Sequence, residues 1–290
     1  MKLALGTVQF GINYGINSIA GKVKFNEVLD IINYARNHDI GLLDTAPGYG
    51  NSEQVLGDAN THDFKIVTKT RYFDQAVISD KEVSLLTSDF NKSLQSLKQE
   101  SLYGVLVHNA DDLLKPGADK VFKQLQILKQ KGQITKIGVS IYSEEQLQKI
   151  IDSFDIDLVQ LPFNILDKRL KDSGILNNII AQGIEVHARS VFLQGLLLMT
   201  EQSRPKQFDR WSNLWKLWHE WLTDNQLTAL EATIRHVIST SEISKVLVGV
   251  HSTDQLRDIV KAADGNLPTI PEDLFTFDND LLNPSNWNNL

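Results

Sequence analysis

Four side chains within the first 108 residues, Asp44, Tyr49, Lys69 and His108, have the types and order of a proton-transfer site. A free phenol is a weak acid, with a pKa of about 10. A nearby ammonium group stabilises the phenolate and lowers that value. Lys69 can supply the ammonium, and Asp44 can pair with it and hold it in place. His108 can hydrogen-bond the phenol or the oxygen of a substrate. Tyr49 is then expected to protonate a carbonyl oxygen as hydride arrives at the carbon. Each residue alone has a plainer reading: a turn cap for Asp44, a solvated strand-end lysine, a structural histidine. One His, one Asp and a Lys make a poor ligand set, so no metal is expected.

Short β-rich apolar runs position these residues. They lie at Leu3–Thr7, Gly41–Asp44, Lys65–Lys69, Leu102–His108, Lys136–Ser140, Leu158–Pro162, Ile184–Arg189 and Lys245–Gly249. Few polar residues interrupt them, as in strands covered on both faces. Helical periodicity fills the gaps at Phe25–Asn37, Ser52–Leu56, Val83–Leu97, Val121–Gln130, Ile175–Ala181, Gln226–Val237 and Thr253–Ala262. Ser143 and Gln146 read as a capping box for a helix to Ile151. Eight strands alternating with helices predict an α/β fold, a (β/α)8 TIM barrel in a single domain over residues 1–290. The rival, a doubly wound sheet, usually carries GxGxxG after its first strand. Neither Gly6–Gly11 nor Gly48-Tyr49-Gly50 fits that pattern. In a barrel, Asp44, Lys69 and His108 fall at C-terminal strand ends, where barrel chemistry gathers.

A long connection at about 190–244 carries Trp211, Trp215, Trp218 and Trp221 on one helical face. It reads as a helix buried against the barrel or as an aromatic wall over the active site. The Asn- and Asp-rich tail, about 275–290, is either frayed or folded across the barrel mouth. The net charge of −7 argues against a nucleic-acid partner. Without cysteine, disulfides and thiolate chemistry are excluded. No apolar run is long enough for a membrane span, and the N-terminal run is too short for a signal peptide, so a cytoplasmic protein is expected.

The segment Leu43–Gly57, which reads LDTAPGYGNSEQVLG, resembles the DTAxxYGxSExxLG segment of the aldo-keto reductase superfamily. Ile66–Lys69 and Leu106–His108 are similar to that family's strand-three lysine and strand-four histidine motifs. The resemblance continues through Gly138–Ser140, Gln160–Asn164, Ser190–Leu196 and Val248–Leu256. It implies that Asp44, Tyr49, Lys69 and His108 are a catalytic tetrad acting with NADP(H) or NAD(H), without metal, on a small carbonyl or sugar substrate. The alternative is a cofactor-sensing regulatory subunit, since such members keep the tetrad. The resemblance implies cofactor contacts from Gly6, Thr7, Val8 and Asp44, from Ser140 and Gln160 at the carboxamide, and from Ser190 near the pyrophosphate. Gly249, Ser252, Gln255 and Asp258 would follow the adenosine half.

Departures from the family pattern fall at the cofactor end. Ile141 stands where Asn is common. Arg189 stands where an aromatic ring usually stacks on the nicotinamide, and its planar guanidinium is expected to take that place. Gly249 and Gln255 replace a Lys and an Arg that hold a 2′-phosphate elsewhere, and Ile259 replaces an Asn. His251 and Arg204 are the candidate compensating groups.

Overall fold

The computed structural model describes residues 1–16 and 21–289; residues 17–20 and Leu290, which ends the expected tail, lie outside the described residues. The strands are β1 (Leu3–Gly6), β2 (Leu42–Asp44), β3 (Lys65–Lys69), β4 (Leu102–Val107), β5 (Ile134–Ser140), β6 (Leu158–Pro162), β7 (Glu185–Arg189) and β8 (Lys245–Gly249). They are parallel and close into a barrel in chain order. The closing seam pairs Leu3 with Val246 and Gly6 with Gly249. The closed barrel, rather than an open sheet, is what the alternating pattern predicts.

The longer helices are α1 (Phe25–Asn37), α2 (Ser52–Asp58), α3 (Asp80–Leu97), α4 (Ala118–Gln130), α5 (Glu144–Ile151), α6 (Ile175–Ala181), α7 (Ser212–Asp224), α8 (Ala229–Ser239) and α9 (Thr253–Ala262). Apolar spacing locates their buried faces, but capping sets where they start. Ser79 and Glu82 form a capping box that begins α3 three residues before its apolar pattern. Thr228 and Glu231 form another capping box that starts α8 at Ala229, three residues after the expected start, so Gln226 stays outside, in a left-handed turn. Ser143 accepts from the Gln146 amide, but the Gln146 side chain reaches Tyr142, so only half of the expected box forms.

Two cores result. One is the shell between strands and helices, running from Leu3 to Ala262. The other joins Trp211, Trp215, Trp218 and Trp221 to Phe208, Leu281, Leu282 and Trp287. The long connection is therefore largely helical, and its tryptophans are core residues. The tail packs onto them through Trp287, whose ring meets Phe208 edge-on at 5.0 Å. Among the described residues no helix is long and apolar enough to cross a membrane.

Candidate active site

Side chains along a strand alternate between its faces, so residues two apart share one. Inside the barrel, Ala4, Leu42, Val67, Leu106, Leu158 and Leu247 form a buried apolar plug. Two positions further along the chain stand Gly6, Asp44, Lys69, Gln160 and Gly249 on the same strands, and His108 one residue past the end of β4. All six line a cavity of about 600 Å³ above the plug. The plug keeps water from the barrel axis, and the next layer turns polar at the C-terminal mouth.

Tyr49 is brought to this layer by the loop after β2. Its N–H bonds Ala46 O at 3.0 Å, and its carbonyl accepts from Ser52 N–H at 3.1 Å. The segment after β1 presses against that loop: a Cβ on Gly11 would lie 1.7 Å from Tyr49 O. Gly50 turns the chain with a φ of +60°, a left-handed value that suits glycine. The Thr7 hydroxyl donates to Asp44 O at 2.9 Å, tying the two loops together.

Lys69 Nζ donates to Asp44 Oδ2 at 2.7 Å and to Thr45 O at 3.0 Å. Gln160 Nε2 donates to the other carboxylate oxygen at 2.7 Å. Burial, the largest single influence, would depress the Lys69 ammonium; the Asp44 carboxylate and the Tyr49 oxygen together outweigh it, and the pKa rises. Lys69 is therefore a charged, neutralised partner, 4.9 Å from the Tyr49 ring centroid. Burial, resisted by Lys69, holds the Tyr49 phenol above its ordinary range. This corrects the expectation that Lys69 lowers it on balance: desolvation exceeds the attraction, part of which Asp44 cancels. Burial and the Lys69 charge push His108 down to about 4, so its imidazole is neutral near pH 7. The His108 ring stacks on Tyr72 at 4.6 Å and meets Tyr49 edge-on at 6.2 Å.

Gly6, Thr7, Val8, Ser140, Gln160, Arg189, Ser190, Gly249, His251, Gln255 and Asp258 line the same cavity. Ser252 does not: its Oγ accepts from Gln255 N–H at 3.2 Å as the cap of α9. Gln255 Oε1 in turn accepts from His251 N–H at 2.8 Å. Arg204 lies in the tryptophan core, 4.3 Å from the Trp215 ring centroid, and lines no part of the cavity. Among the described residues neither the tryptophans nor the tail lines it, so the aromatic-wall and mouth-covering readings do not hold there. Among the described residues no group of three or more His, Cys, Asp or Glu is placed to hold a metal ion.

Several lining residues escaped the sequence reading. Tyr72 and Tyr142 lie in the loops just past β3 and β5, where strand-end position alone marks a candidate. Gln9 and Tyr14 carried no such signal. Gln9 packs over Gly249, where a Cβ would lie 2.4 Å from its amide nitrogen. Gln9 Oε1 and His251 Nε2 are buried without a hydrogen-bond partner in the protein. Ser190, Leu193 and Gln194 adopt left-handed φ values of 61°, 44° and 53°, and such strain in non-glycine residues gathers at functional sites. Glu53, in the motif that holds Tyr49, accepts from Thr68 Oγ1 at 2.6 Å behind β3.

The family model described as "Aldo/keto reductase family" matches residues 2–272. The chain is 25% identical to the uncharacterized oxidoreductase YqkF of Bacillus subtilis, covering 93% of this chain and 94% of that protein. It is 24% identical to the NADH-specific methylglyoxal reductase of Escherichia coli, over 92% of this chain and 94% of that enzyme. Its fold resembles the holo form of an aldo-keto reductase from Bacillus halodurans, with a TM-score of 0.72 at 20% identity, covering 92% and 88% of the two chains.

Proposed function

The chain belongs to the aldo/keto reductase family and is an NAD(P)-dependent oxidoreductase, and from that premise we propose that it reduces a small aldehyde, ketone or sugar carbonyl with NAD(H). The observation that carries this reading is the buried Lys69–Asp44–Gln160 set beneath Tyr49, with a neutral His108 beside it. When bound, the dinucleotide supplies or accepts hydride. The protein handles the proton. Tyr49 holds it at its phenol oxygen, because burial keeps the phenol from ionising in advance. As charge grows on the carbonyl oxygen, that oxygen becomes far more basic than a phenolate, and Tyr49 releases the proton. Lys69 then stabilises the phenolate, and Asp44 fixes Lys69 through an ion pair whose other carboxylate oxygen Gln160 occupies. Neutral His108 can donate one N–H to the substrate oxygen.

The cavity fits an extended dinucleotide. Gln9 Oε1 and His251 Nε2 lack protein partners within it. Gly6, Thr7 and Val8 would hold the cofactor from the first loop, and Ser140 and Gln160 at the carboxamide. Arg189 would lie against the nicotinamide and Ser190 near the pyrophosphate. Gly249, His251, Gln255 and Asp258 would follow the adenosine half. NAD(H) is favoured by charge at that end: among the described residues the wall there is Gly249, His251, Gln255, Asp258 and Ile259, with no Lys or Arg. A 2′-phosphate brings about −1.5 to −2 charges and wants a guanidinium or ammonium. Titrations with NADH and NADPH, followed by a carbonyl and sugar panel, test the proposal. We expect tighter NADH binding and turnover of at least one small carbonyl. A clear NADPH preference overturns the NAD(H) reading, and no turnover of any carbonyl overturns the substrate class.

A further inference from the structure

Among the described residues Arg189 is the uncompensated positive charge of the cavity. It ends β7, where its carbonyl accepts from Phe163 N–H at 2.9 Å. Its guanidinium is half-buried, donating to Ile141 O at 2.9 Å and to Ser190 Oγ at 3.3 Å. It also stacks on Tyr142, with 4.2 Å from its central carbon to the ring centroid. All of these partners are neutral, and among the described residues no carboxylate lies within ion-pair distance. Lys69, by contrast, is cancelled by Asp44 at 2.7 Å. The Arg189 field reaches the reacting end of the cavity, where it acts to lower the pKa of both Tyr49 and His108, although burial is the larger influence on each.

We propose that Arg189 is a fixed positive charge beside the reacting ring of the cofactor, so that the site binds the reduced, uncharged nicotinamide more tightly than the oxidised, cationic one. This rests on the reading that the cavity takes a nicotinamide dinucleotide with its ring beside Tyr49 and His108. In carbonyl reduction the C–H bond of the reduced ring breaks and its hydride forms a C–H bond at the carbonyl carbon. The carbonyl oxygen takes its proton from Tyr49, and the ring is left with one positive charge. At a neutral aromatic platform that charge is tolerated or favoured. Beside Arg189 it is repelled. Two consequences follow. Oxidised cofactor leaves sooner after reduction. On the enzyme, the balance is drawn towards reduced cofactor plus carbonyl, the direction of alcohol oxidation. The hydrogen bonds to Ile141 and Ser190 matter here, because a free guanidinium would swing away from the new charge and relieve the repulsion.

The test is calorimetric binding of NADH and NAD⁺ to the wild type, Arg189→Gln and Arg189→Lys. We expect the wild type to bind NADH more tightly. Arg189→Gln should lower the ratio of the NAD⁺ to the NADH dissociation constant by about tenfold, the size of a partly screened charge interaction. Arg189→Lys should keep most of the ratio, which separates loss of charge from loss of fold. A wild type that binds neither dinucleotide overturns the functional reading and this inference with it. A wild type that binds both, with a ratio unmoved in Arg189→Gln, overturns this inference alone. Equal weakening of both forms would mean that Arg189 grips the phosphates, and would also overturn it.

Discussion

The barrel mouth and the tryptophan core are both rich in aromatic and polar side chains, yet they treat polar atoms in opposite ways. In the tryptophan core each indole N–H has a partner. Trp211 donates to Asp278 at 2.9 Å, Trp215 to Phe208 O at 2.9 Å, and Trp218 to Leu197 O at 3.3 Å. Trp221 donates to Thr269 O at 3.2 Å and Trp287 to Leu281 O at 3.1 Å. The mouth leaves Gln9 Oε1 and His251 Nε2 unsatisfied, holds Ser190 and Gln194 in left-handed backbone, and keeps a guanidinium without a carboxylate. A buried region that satisfies its polar groups is finished as a structure, whereas one that withholds partners is arranged for a ligand. Arg204 blurs the contrast: its Nε is buried and unpartnered inside the tryptophan core, although Nη2 reaches His219 at 3.0 Å.

The largest effect expected from breaking this contrast is at Tyr49. Tyr49→Phe should lower kcat by about 10²–10⁴-fold while NADH affinity stays within a few-fold. Single-turnover kinetics with a cofactor titration check both, and unchanged turnover would remove Tyr49 as the acid. Next comes Trp218, fully buried in the other region. Trp218→Ala should cost about 3–5 kcal/mol in urea unfolding through lost burial and a cavity, with KM near the wild-type value. A large change in KM at preserved stability would mean that the tryptophan core shapes the active site after all.

The smallest effect distinguishes two histidines that burial holds at about 4 in both cases, His108 in the mouth and His236 in the wall, whose ring stacks on Phe163. Each binds a proton more readily unfolded, at about 6.5, than folded. Stability from the neutral form is therefore complete above pH 6.5 and is lost as pH falls towards 4. For buried His236 the loss is up to about 3 kcal/mol. His236→Phe should flatten part of the decline in melting temperature over that window without altering the pH profile of turnover. An NMR titration of His108 near its ordinary value would contradict the neutral donor assigned to it.

Much of this molecule is legible in the sequence, because strand periodicity is local. Apolar runs ending in Asp44, Lys69 and His108 specify both the barrel and the face on which those side chains emerge. The glycines around Tyr49 mark a turn. The Ser79–Glu82 capping box starts α3 ahead of the expected Val83, because a cap is written in polar residues that the apolar period does not register. Other features depend on groups far apart in the chain. Gln160 meets Asp44 across 116 residues, and Tyr72 lies under His108 only because β3 and β4 are neighbours. The tryptophan face has the same sequence signature whether it lines a pocket or fills a core; the tail settled that by packing onto it. The acidity of Tyr49 is likewise a balance between local charge, which residue types announce, and desolvation, which exists only once the fold has excluded water from around the phenol.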